Sequence, residues 1–239
     1  TVRVLWQEEA SGITLDEHIN AEGLDAGLAC RIGETVASLH GTSVRGYHSL
    51  STEDILEKLD DTSRLLGLVR PESHARAAAV TRRLQEYTVH LRGPTRATLH
   101  GDLHARNILI DPDRVCLIDL DRVSHGPPLA ELGSLIAEIH YRALLDQRSP
   151  RKSGAAIKEL VRGYAGQAPW SVPMNELNWH TAAALIRERV FRCLTSLKPG
   201  RVQIIDGLID LAAELCPLSG RPVGHAHRLV GQASEWTNS

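Results

Sequence analysis

The sequence predicts an α+β fold, consisting of a mostly helical body with a few short strands. Two observations lead to this prediction. Apolar residues recur at helical spacing over most of the chain, and three short apolar runs interrupt the helices at residues 97–99, 108–110 and 115–120. The chain has 239 residues, which is enough for one large domain or two small ones with a sizeable core.

The predicted elements follow one another in a simple order. Residues 2–7 alternate as in a strand, and Ser11-Gly12 ends it. Helical spacing then recurs in seven segments, over about residues 24–40, 53–69, 71–91, 129–139, 153–164, 176–197 and 202–215. The tail from Pro217 is rich in Gly, Pro and Ser, and we expect it to be loosely held.

The second and third apolar runs are predicted to form a hairpin. They are joined by Asp111-Pro112-Asp113-Arg114, a typical turn composition, so we expect Asp111 and Asp113 to be turn residues. Cys116, within the second strand of this hairpin, is predicted to be a small buried apolar residue.

Composition excludes several classes of function. Lys plus Arg number 27 and Asp plus Glu 29, and this balance gives no electrostatic reason to expect nucleic acid or a membrane surface as a partner. The four cysteines form no C-x-x-C pair, which favours a reduced, cytoplasmic protein over a zinc or disulfide framework. Neither a run of about 18 apolar residues nor a signal-peptide pattern occurs. The chain starts without Met, so we expect a processed N-terminus or part of a longer polypeptide.

One stretch concentrates reactive side chains around two apolar runs. Residues 98–121 read "TLHGDLHARNILIDPDRVCLIDLD". Polar groups are costly to bury, so a cluster of this kind beside predicted strands points to function. Its candidate residues are His100, Asp102, His104, Asn107, Asp119 and Asp121.

The spacing within this stretch is typical of phosphoryl transfer. Asn107 follows Asp102 by five residues, and Asp119 ends the hairpin. Protein kinases carry H-R-D-x-x-x-x-N, then a metal-binding Asp in D-F-G. The reaction needs a carboxylate that accepts a hydroxyl proton and hard oxygen ligands for Mg²⁺. Only the short loop "RVSHGPP" separates Asp121 from the next helix, without A-P-E, so a small hydroxylated acceptor is favoured over a peptide.

The sequence also resembles a known family in several quoted segments. "LHGDLHARNILID" and "LIDLDRVSHGPPLAELGSL" are similar to the aminoglycoside phosphotransferase and choline-kinase-like group of small-molecule kinases. "VLWQEEASGITLDEHI" resembles that family's last N-lobe strand, hinge and next helix, "GETVASLHGTSV" the helix after it, and "WHTAAALIRERVFRCLTSLKPG" the late C-lobe helices. The resemblance implies a protein-kinase-like fold represented mainly by its helical C-terminal lobe. Residues 1–10 would be the last N-lobe strand and hinge, 11–216 the C-lobe, and 217–239 the tail.

The resemblance also implies roles for individual residues. Asp102 would be the catalytic base, and Asn107 and Asp119 would hold Mg²⁺. Glu8 and Glu9, in the hinge, would lie near the adenine of ATP.

Further residues would support this site. His100 would brace the loop through hydrogen bonds, and His104 and Asp121 are additional candidates. The family usually carries G-D-P-x-x-D-L, whereas this chain has Gly126-Pro127-Pro128 followed by Glu131-Leu132. The family Asp buttresses the catalytic loop, so we expect Glu131 to do this only with adjusted geometry.

The implied activity is ATP- and Mg²⁺-dependent phosphotransfer to a hydroxyl of a small molecule. An aminoglycoside-like antibiotic, a sugar or an amino alcohol would all fit, the first implying antibiotic resistance. Neither G-x-G-x-x-G nor a Lys before the hinge occurs, so activity is expected to require an N-lobe beyond these residues. The oligomeric state is left open. A cationic acceptor is favoured if carboxylates converge on the site, the candidates being Glu138, Asp146, Glu176 and Glu188.

Alternative interpretations stay open beside this one. A catalytically silent, kinase-derived binding or scaffolding module would keep the same fold. "GDLH" also matches the Gly-Asp-x-His of metallophosphoesterases, but their later Gly-Asn-His is absent because Ile follows Asn107. Gly101 and the flanking strands argue against a helical metal pair of His100 and His104. The run "RERVFR" at 187–192 is predicted to be a solvated helix face, and the tryptophans at 170, 179 and 236 to serve either a pocket or packing.

Overall fold

A computed structural model describes residues 10–44, 48–92, 95–146, 150–196 and 198–217, without the side chains of 150–152. The strand predicted at residues 2–7 lies outside these ranges, as do Glu8, Glu9 and the tail beyond 217, which includes Trp236.

The described residues form mostly helix. The helices are α1 Leu15–Ala21, α2 Ala26–His40, α3 Thr52–Val69, α4 Pro71–Tyr87, α5 Pro128–Leu145, α6 Pro150–Gln167, α7 Met174–Ala184, α8 Phe191–Thr195 and α9 Ile205–Leu215. The strands are β1 Ile13–Thr14, β2 His48–Ser49, β3 Ala97–Leu99, β4 Ile108–Ile110, β5 Val115–Leu117 and β6 Ser124–Gly126. A π-helical segment, Leu185–Val190, joins α7 to α8.

The predicted hairpin is confirmed. β4 and β5 pair antiparallel, with Ile108 opposite Leu117, and the backbone N–H of Asp111 donates to the Arg114 carbonyl over 3.0 Å. β1 adds to the other edge of β4, which gives the sheet order β1-β4-β5.

The second sheet corrects one prediction. Its order is β2-β6-β3, with β2 parallel and β3 antiparallel to β6. β6 lies in the segment "RVSHGPP", which we predicted to be a loop. A three-residue strand is too short for an alternating pattern to indicate it, and its hydrogen bonds come from strands distant in sequence.

Two hydrophobic clusters share α5 between them. One is built mainly from α3, α4, α7 and α9, and the other from α1, α2, α6 and the β4–β5 hairpin. Trp179 is fully buried in the first cluster and donates its Nε1–H to the Leu84 carbonyl over 2.8 Å, so it serves packing. In the second cluster, a Cβ at Gly33 would lie 2.1 Å from the Leu160 carbonyl oxygen, so glycine allows α2 and α6 to cross closely.

The run at 187–192 is not the solvated helix face that we predicted. Arg189 and Val190 are buried, and Arg189 donates from Nη2 to the Ser134 carbonyl over 3.1 Å. Most of the run belongs to the π-helical segment. The wider π turn adds a residue and so changes which side chains face inward, which a period of 3.6 residues does not predict. Cys116 also differs from prediction, since it is only half-buried.

Among the helices of the described ranges, none combines the length and the apolar character needed to cross a membrane.

Two buried histidines make stability depend on pH. Burial lowers the pKa of His140 to about 4, and burial, with Arg187 nearby, lowers the pKa of His180 to about 3. Both are therefore neutral in the native state at a pH where the unfolded chain, with a histidine pKa near 6.5, already binds protons. The free energy of unfolding is then highest above pH 6.5 and falls as pH decreases toward 4, by about 1.4 kcal/mol per pH unit for each histidine.

Urea denaturation at pH 7 and pH 5 measures this slope. We expect His140→Gln combined with His180→Gln to flatten it, because the substituted side chains do not titrate. His90→Gln, at an exposed histidine, is the matched control and should leave the slope unchanged. Equal stability of the unsubstituted chain at the two pH values would contradict the prediction.

Candidate active site

The loop between β3 and β4, residues 100–107, is here called the site loop. It ends in a 3₁₀ turn, Ala105–Asn107. Asp102 is half-buried and Asn107 is buried. Asn107 donates its Nδ2–H to the main-chain carbonyl of Asp102 over 3.0 Å. Two of the predicted site residues are therefore joined directly, five positions apart in the chain.

Ile118 connects the site loop to the end of the hairpin. Its N–H donates to the Asn107 carbonyl over 3.0 Å, and its carbonyl lies 2.8 Å from Nε2 of His100. Asp119 is the next residue. The structure thus places Asp119 next to the end of the site loop, and it gives His100 the bracing contact expected of it.

The chain leaves β5 in a strained conformation. Asp119 has φ +63°, the only positive φ of a non-glycine residue in the part of the chain described here. The left-handed region costs a residue with a Cβ roughly 1–2 kcal/mol. Such costs cluster at functional sites, because the surrounding structure has to enforce them.

Gly101 holds the site loop against the segment that follows Asp119. It has φ +84°, and a Cβ there would lie 1.9 Å from the Arg122 carbonyl oxygen. Only glycine fits this close approach. The position of Asp102 is therefore tied to that of the residues after the hairpin.

Glu131, on α5, supports the site loop by accepting two backbone hydrogen bonds. Its Oε2 accepts from the backbone N–H of His100 over 2.9 Å, and its Oε1 accepts from the N–H of Gly101 over 2.8 Å. The side chain is nine-tenths or more buried. The longer Glu thus reaches the loop with both oxygens, each bonded to one of two successive amides.

The brace extends into the core through two residues that the sequence did not single out as site residues. His40 Nε2 lies 3.0 Å from Glu131 Oε2, and His40 Nδ1 lies 2.8 Å from the Tyr164 hydroxyl. This geometry fits an Nε2–H donor to the carboxylate and an Nδ1 acceptor from the hydroxyl. Burial raises the pKa of Tyr164, so its hydroxyl stays protonated and can donate.

A second carboxylate braces the other end of the site loop. Glu138, also on α5, accepts from the N–H of Ala105 over 3.2 Å and pairs with Arg142 over 3.1 Å. Arg142 pairs in turn with Asp16 of α1. Glu138 is therefore a structural partner of the loop and its arginine, and it is not available to bind a cationic acceptor.

Asp102 lines a cleft of about 870 Å³, a size typical of small-molecule sites. His104 also lines it, and the π-helical segment adds Arg187, Glu188 and Arg189 to the lining. Glu176 and Trp170 line a separate pocket of about 540 Å³ that contains no site-loop residue. The four candidate carboxylates therefore do not converge, since only Glu188 reaches the cleft and Asp146 caps the end of α5.

The remaining predicted residues divide into two groups. Asn107 and Asp119 do not line the cleft but lie together at the end of the hairpin. Asp121 is exposed and lies outside the cleft lining. His104 borders the cleft, and its buried Nδ1 has no hydrogen-bond partner among the described residues.

Asn107 and Asp119 fit Mg²⁺ chemically. An amide oxygen and a carboxylate are hard donors, and the Nδ2 bond to Asp102 leaves Oδ1 as the free end of the Asn107 amide. The described residues contain no group of three or more His, Cys, Asp or Glu that could enclose a metal. Mg²⁺ suits such an open site, because it commonly takes one or two protein ligands and completes its shell with water and phosphate oxygens.

The chain matches one protein-family model and superposes on several solved structures. The family model described as the phosphotransferase enzyme family matches residues 3–171. A choline/ethanolamine kinase family protein from Mesorhizobium loti superposes with a TM-score of 0.60 at 16% identity, over 87% of this chain and 68% of that one. A glucosamine kinase in complex with glucosamine, ADP and inorganic phosphate gives 0.59 at 18%, over 84% and 59%. An AMP-bound spectinomycin phosphotransferase gives 0.55 at 12%, over 86% and 70%.

At these identities the superpositions show the fold. The predicted kinase-like α+β class, with its helical body and short hairpin, is confirmed. The chain spans 59% of the length of the glucosamine kinase and 68% of the Mesorhizobium loti protein.

Proposed function

Because the chain belongs to the phosphotransferase enzyme family, as its site loop predicts, we propose that it transfers the γ-phosphoryl group of ATP to a hydroxyl of a small molecule, with Mg²⁺. The observation that supports this most directly is the placement of three side chains. Asp102 borders the cleft, while Asn107 and Asp119 lie at the end of the hairpin, where the Ile118 N–H bonds to the Asn107 carbonyl.

The three side chains would divide the work between them. Asp102 accepts the proton of the acceptor hydroxyl and directs its oxygen toward the phosphorus. Asn107 and Asp119 hold the metal. When bound, Mg²⁺ neutralises the charge of the phosphates during transfer.

Two carboxylates would hold the site loop in the conformation that catalysis needs before the substrate binds. Glu131 fixes the two amides before Asp102, and Glu138 fixes Ala105. Preorganisation of this kind removes reorganisation cost from the reaction itself. Phosphoryl transfer depends chiefly on such positioning and on electrostatic stabilisation.

The nucleotide would be held from the side of the hinge. Glu8 and Glu9 remain the proposed neighbours of the adenine, on the family resemblance alone. We propose that the phosphate-covering loop and its lysine come from a segment beyond the described residues. Two of the similar structures contain ADP or AMP, which supports a nucleotide as the donor.

An acceptor screen tests the proposal. The protein, expressed from its complete coding sequence, would be incubated with ATP, Mg²⁺ and single compounds from a panel of aminoglycosides, sugars and amino alcohols. We expect ADP release that requires both Mg²⁺ and one class of acceptor. Binding of ADP without turnover on any acceptor would instead favour the silent binding module.

A further inference from the structure

The part of the cleft lining that the π-helical segment supplies is cationic, which is the reverse of the acidic site expected for a cationic acceptor. We propose that the acceptor carries an anionic group, a phosphate or a carboxylate, that binds at Arg187 and Arg189 while its hydroxyl lies at Asp102. This inference rests on the proposed phosphotransfer function.

The π-helical segment presents two arginines around one carboxylate. Arg187 Nη2 lies 2.5 Å from Glu188 Oε1, and Arg189 Nη2 lies 3.2 Å from Glu188 Oε2. The Ser134 hydroxyl also donates to Glu188 Oε2 over 2.5 Å. Both oxygens of the one acidic residue on this segment are therefore occupied, and the pair of arginines keeps an excess positive charge.

Glu188 stays ionised in this environment. Burial acts to raise the pKa of its carboxyl, but Arg187, Arg189 and the Ser134 hydrogen bond outweigh burial and hold the pKa below its ordinary value. The carboxylate therefore orders the two guanidinium groups at the pH of the cell, without offering a free acceptor to a ligand cation.

Each arginine has a buried donor that no described residue satisfies. The Nε atoms of Arg187 and Arg189 are buried, and neither has a hydrogen-bond partner among the residues described. The Arg189 side chain is only 6% exposed, and that of Arg187 only 12%. Buried donors are nearly always satisfied in proteins, and a phosphate or carboxylate oxygen is the strongest acceptor for a guanidinium N–H.

The rest of the lining agrees with this charge. Lys58, Arg122 and Arg192 add three more cationic side chains to the border of the cleft. Among the described lining residues, the carboxylates other than Glu188 are Asp102 and Glu131, and Glu131 is bonded to the site loop. Asp102 is therefore the one free carboxylate among these lining residues, and its proposed role is to accept the proton of the acceptor hydroxyl. A cleft whose lining carries an excess of one sign of charge raises the local concentration of the opposite ion.

The phosphates of the nucleotide are the other possible source of the anion. A binding experiment separates the two sources when the nucleotide site is already filled. The protein, expressed from its complete coding sequence and saturated with ADP and Mg²⁺, would be titrated by calorimetry with glucosamine, glucose, glucuronate and glucose 6-phosphate, which share a hydroxylated ring and differ in charge.

We expect the two anionic sugars to bind at least about tenfold more tightly than glucose, and glucosamine to bind most weakly. Binding of glucosamine as tight as that of glucose 6-phosphate would overturn the proposal. Loss of the anionic preference once ADP is saturating would also overturn it, because the anion would then belong to the nucleotide site.

Variants of Arg187 locate the effect. Arg187→Gln should weaken glucose 6-phosphate binding about tenfold, and Arg187→Lys, which keeps the charge, should weaken it less. Arg64→Gln, at an exposed arginine of α3 that pairs with Asp61, is the matched control and should not change binding. Thermal melting of each variant checks that the fold is intact, and unchanged affinity in a folded Arg187→Gln protein would overturn the assignment.

A transfer assay distinguishes failure of the anionic-acceptor inference from failure of the proposed phosphotransfer function. Transfer to glucosamine in preference to glucose 6-phosphate would support phosphotransfer and overturn the anionic acceptor. A failed transfer assay with the charge preference intact would leave the anion site and contradict the activity.

Discussion

Replacing Asp102 with Asn is expected to lower kcat by about 10³-fold, the range found for removal of a positioned general base. Asn has the same shape but cannot accept the hydroxyl proton. The hydrogen bond that ties Asp102 to Asn107 uses the main-chain carbonyl of Asp102, so the site loop keeps its conformation in the variant. Acceptor-dependent ADP release, measured beside the melting temperature, gives the result.

Asp113→Asn is the control for this change. Asp113 is an exposed carboxylate in the turn of the β4–β5 hairpin, close to the site in sequence but without a contact to the site loop. We expect its kcat to match that of the unsubstituted protein. An Asp102→Asn protein that turns over within about tenfold of the original would contradict the role of Asp102 as base.

Glu131→Gln is expected to lower the free energy of unfolding by about 2–4 kcal/mol. The carboxylate accepts from two backbone amides and faces His40 Nε2, and its side chain is only 6% exposed. Gln keeps the volume but has one acceptor oxygen, so its NH₂ group must face an N–H donor inside the core. A buried donor left without an acceptor costs about 1–3 kcal/mol.

Urea denaturation of this variant measures the loss, and Glu57→Gln supplies the control at an exposed Glu of α3. We expect kcat to fall with stability in Glu131→Gln, because the amide that loses its acceptor, that of His100 or Gly101, lies just before Asp102. A stability change below about 0.5 kcal/mol, the size of an ordinary surface effect, would show that the brace is not needed.

The longer helices were predictable because their stabilising contacts follow a short period. The helix predicted over 53–69 is α3, Thr52–Val69, and a capping box between Ser51 and Asp54 fixes its start. The helix predicted over 71–91 ends earlier, since α4 stops at Tyr87 and a 3₁₀ turn, Thr88–His90, follows. The hairpin was predictable because a local turn joins both of its strands.

Elements that depend on distant partners were not predictable in this way. β1, β2 and β6 have two or three residues each, which is too few to show a period, and each exists because another strand pairs with it. The π-helical segment changes the side-chain period for six residues, so a run of alternating charges that resembles a solvated face becomes a wall of the cleft.

The site residues also differ in whether local sequence or distant contacts determine their positions. Asp102, Asn107 and Asp119 stand within 18 residues of one another, and their spacing alone indicated one site. The hydrogen bond between His40 and Tyr164 joins positions 124 residues apart, so no local pattern predicts it. The sequence also left open which carboxylates converge, and only the packing of α5 shows that Glu138 binds the site loop instead of a ligand.

In the proposed mechanism, one side chain takes the proton while two others hold the metal. Calorimetric titration with Mn²⁺ in the presence of ADP, run beside the transfer assay on Asp102→Asn and Asp119→Asn, tests it most directly. We predict that Asp119→Asn weakens Mn²⁺ binding by about tenfold or more, whereas Asp102→Asn loses transfer but keeps its metal affinity. Equal loss of Mn²⁺ binding in both variants, or full transfer by either, would rule out this division of roles between Asp102 and Asp119.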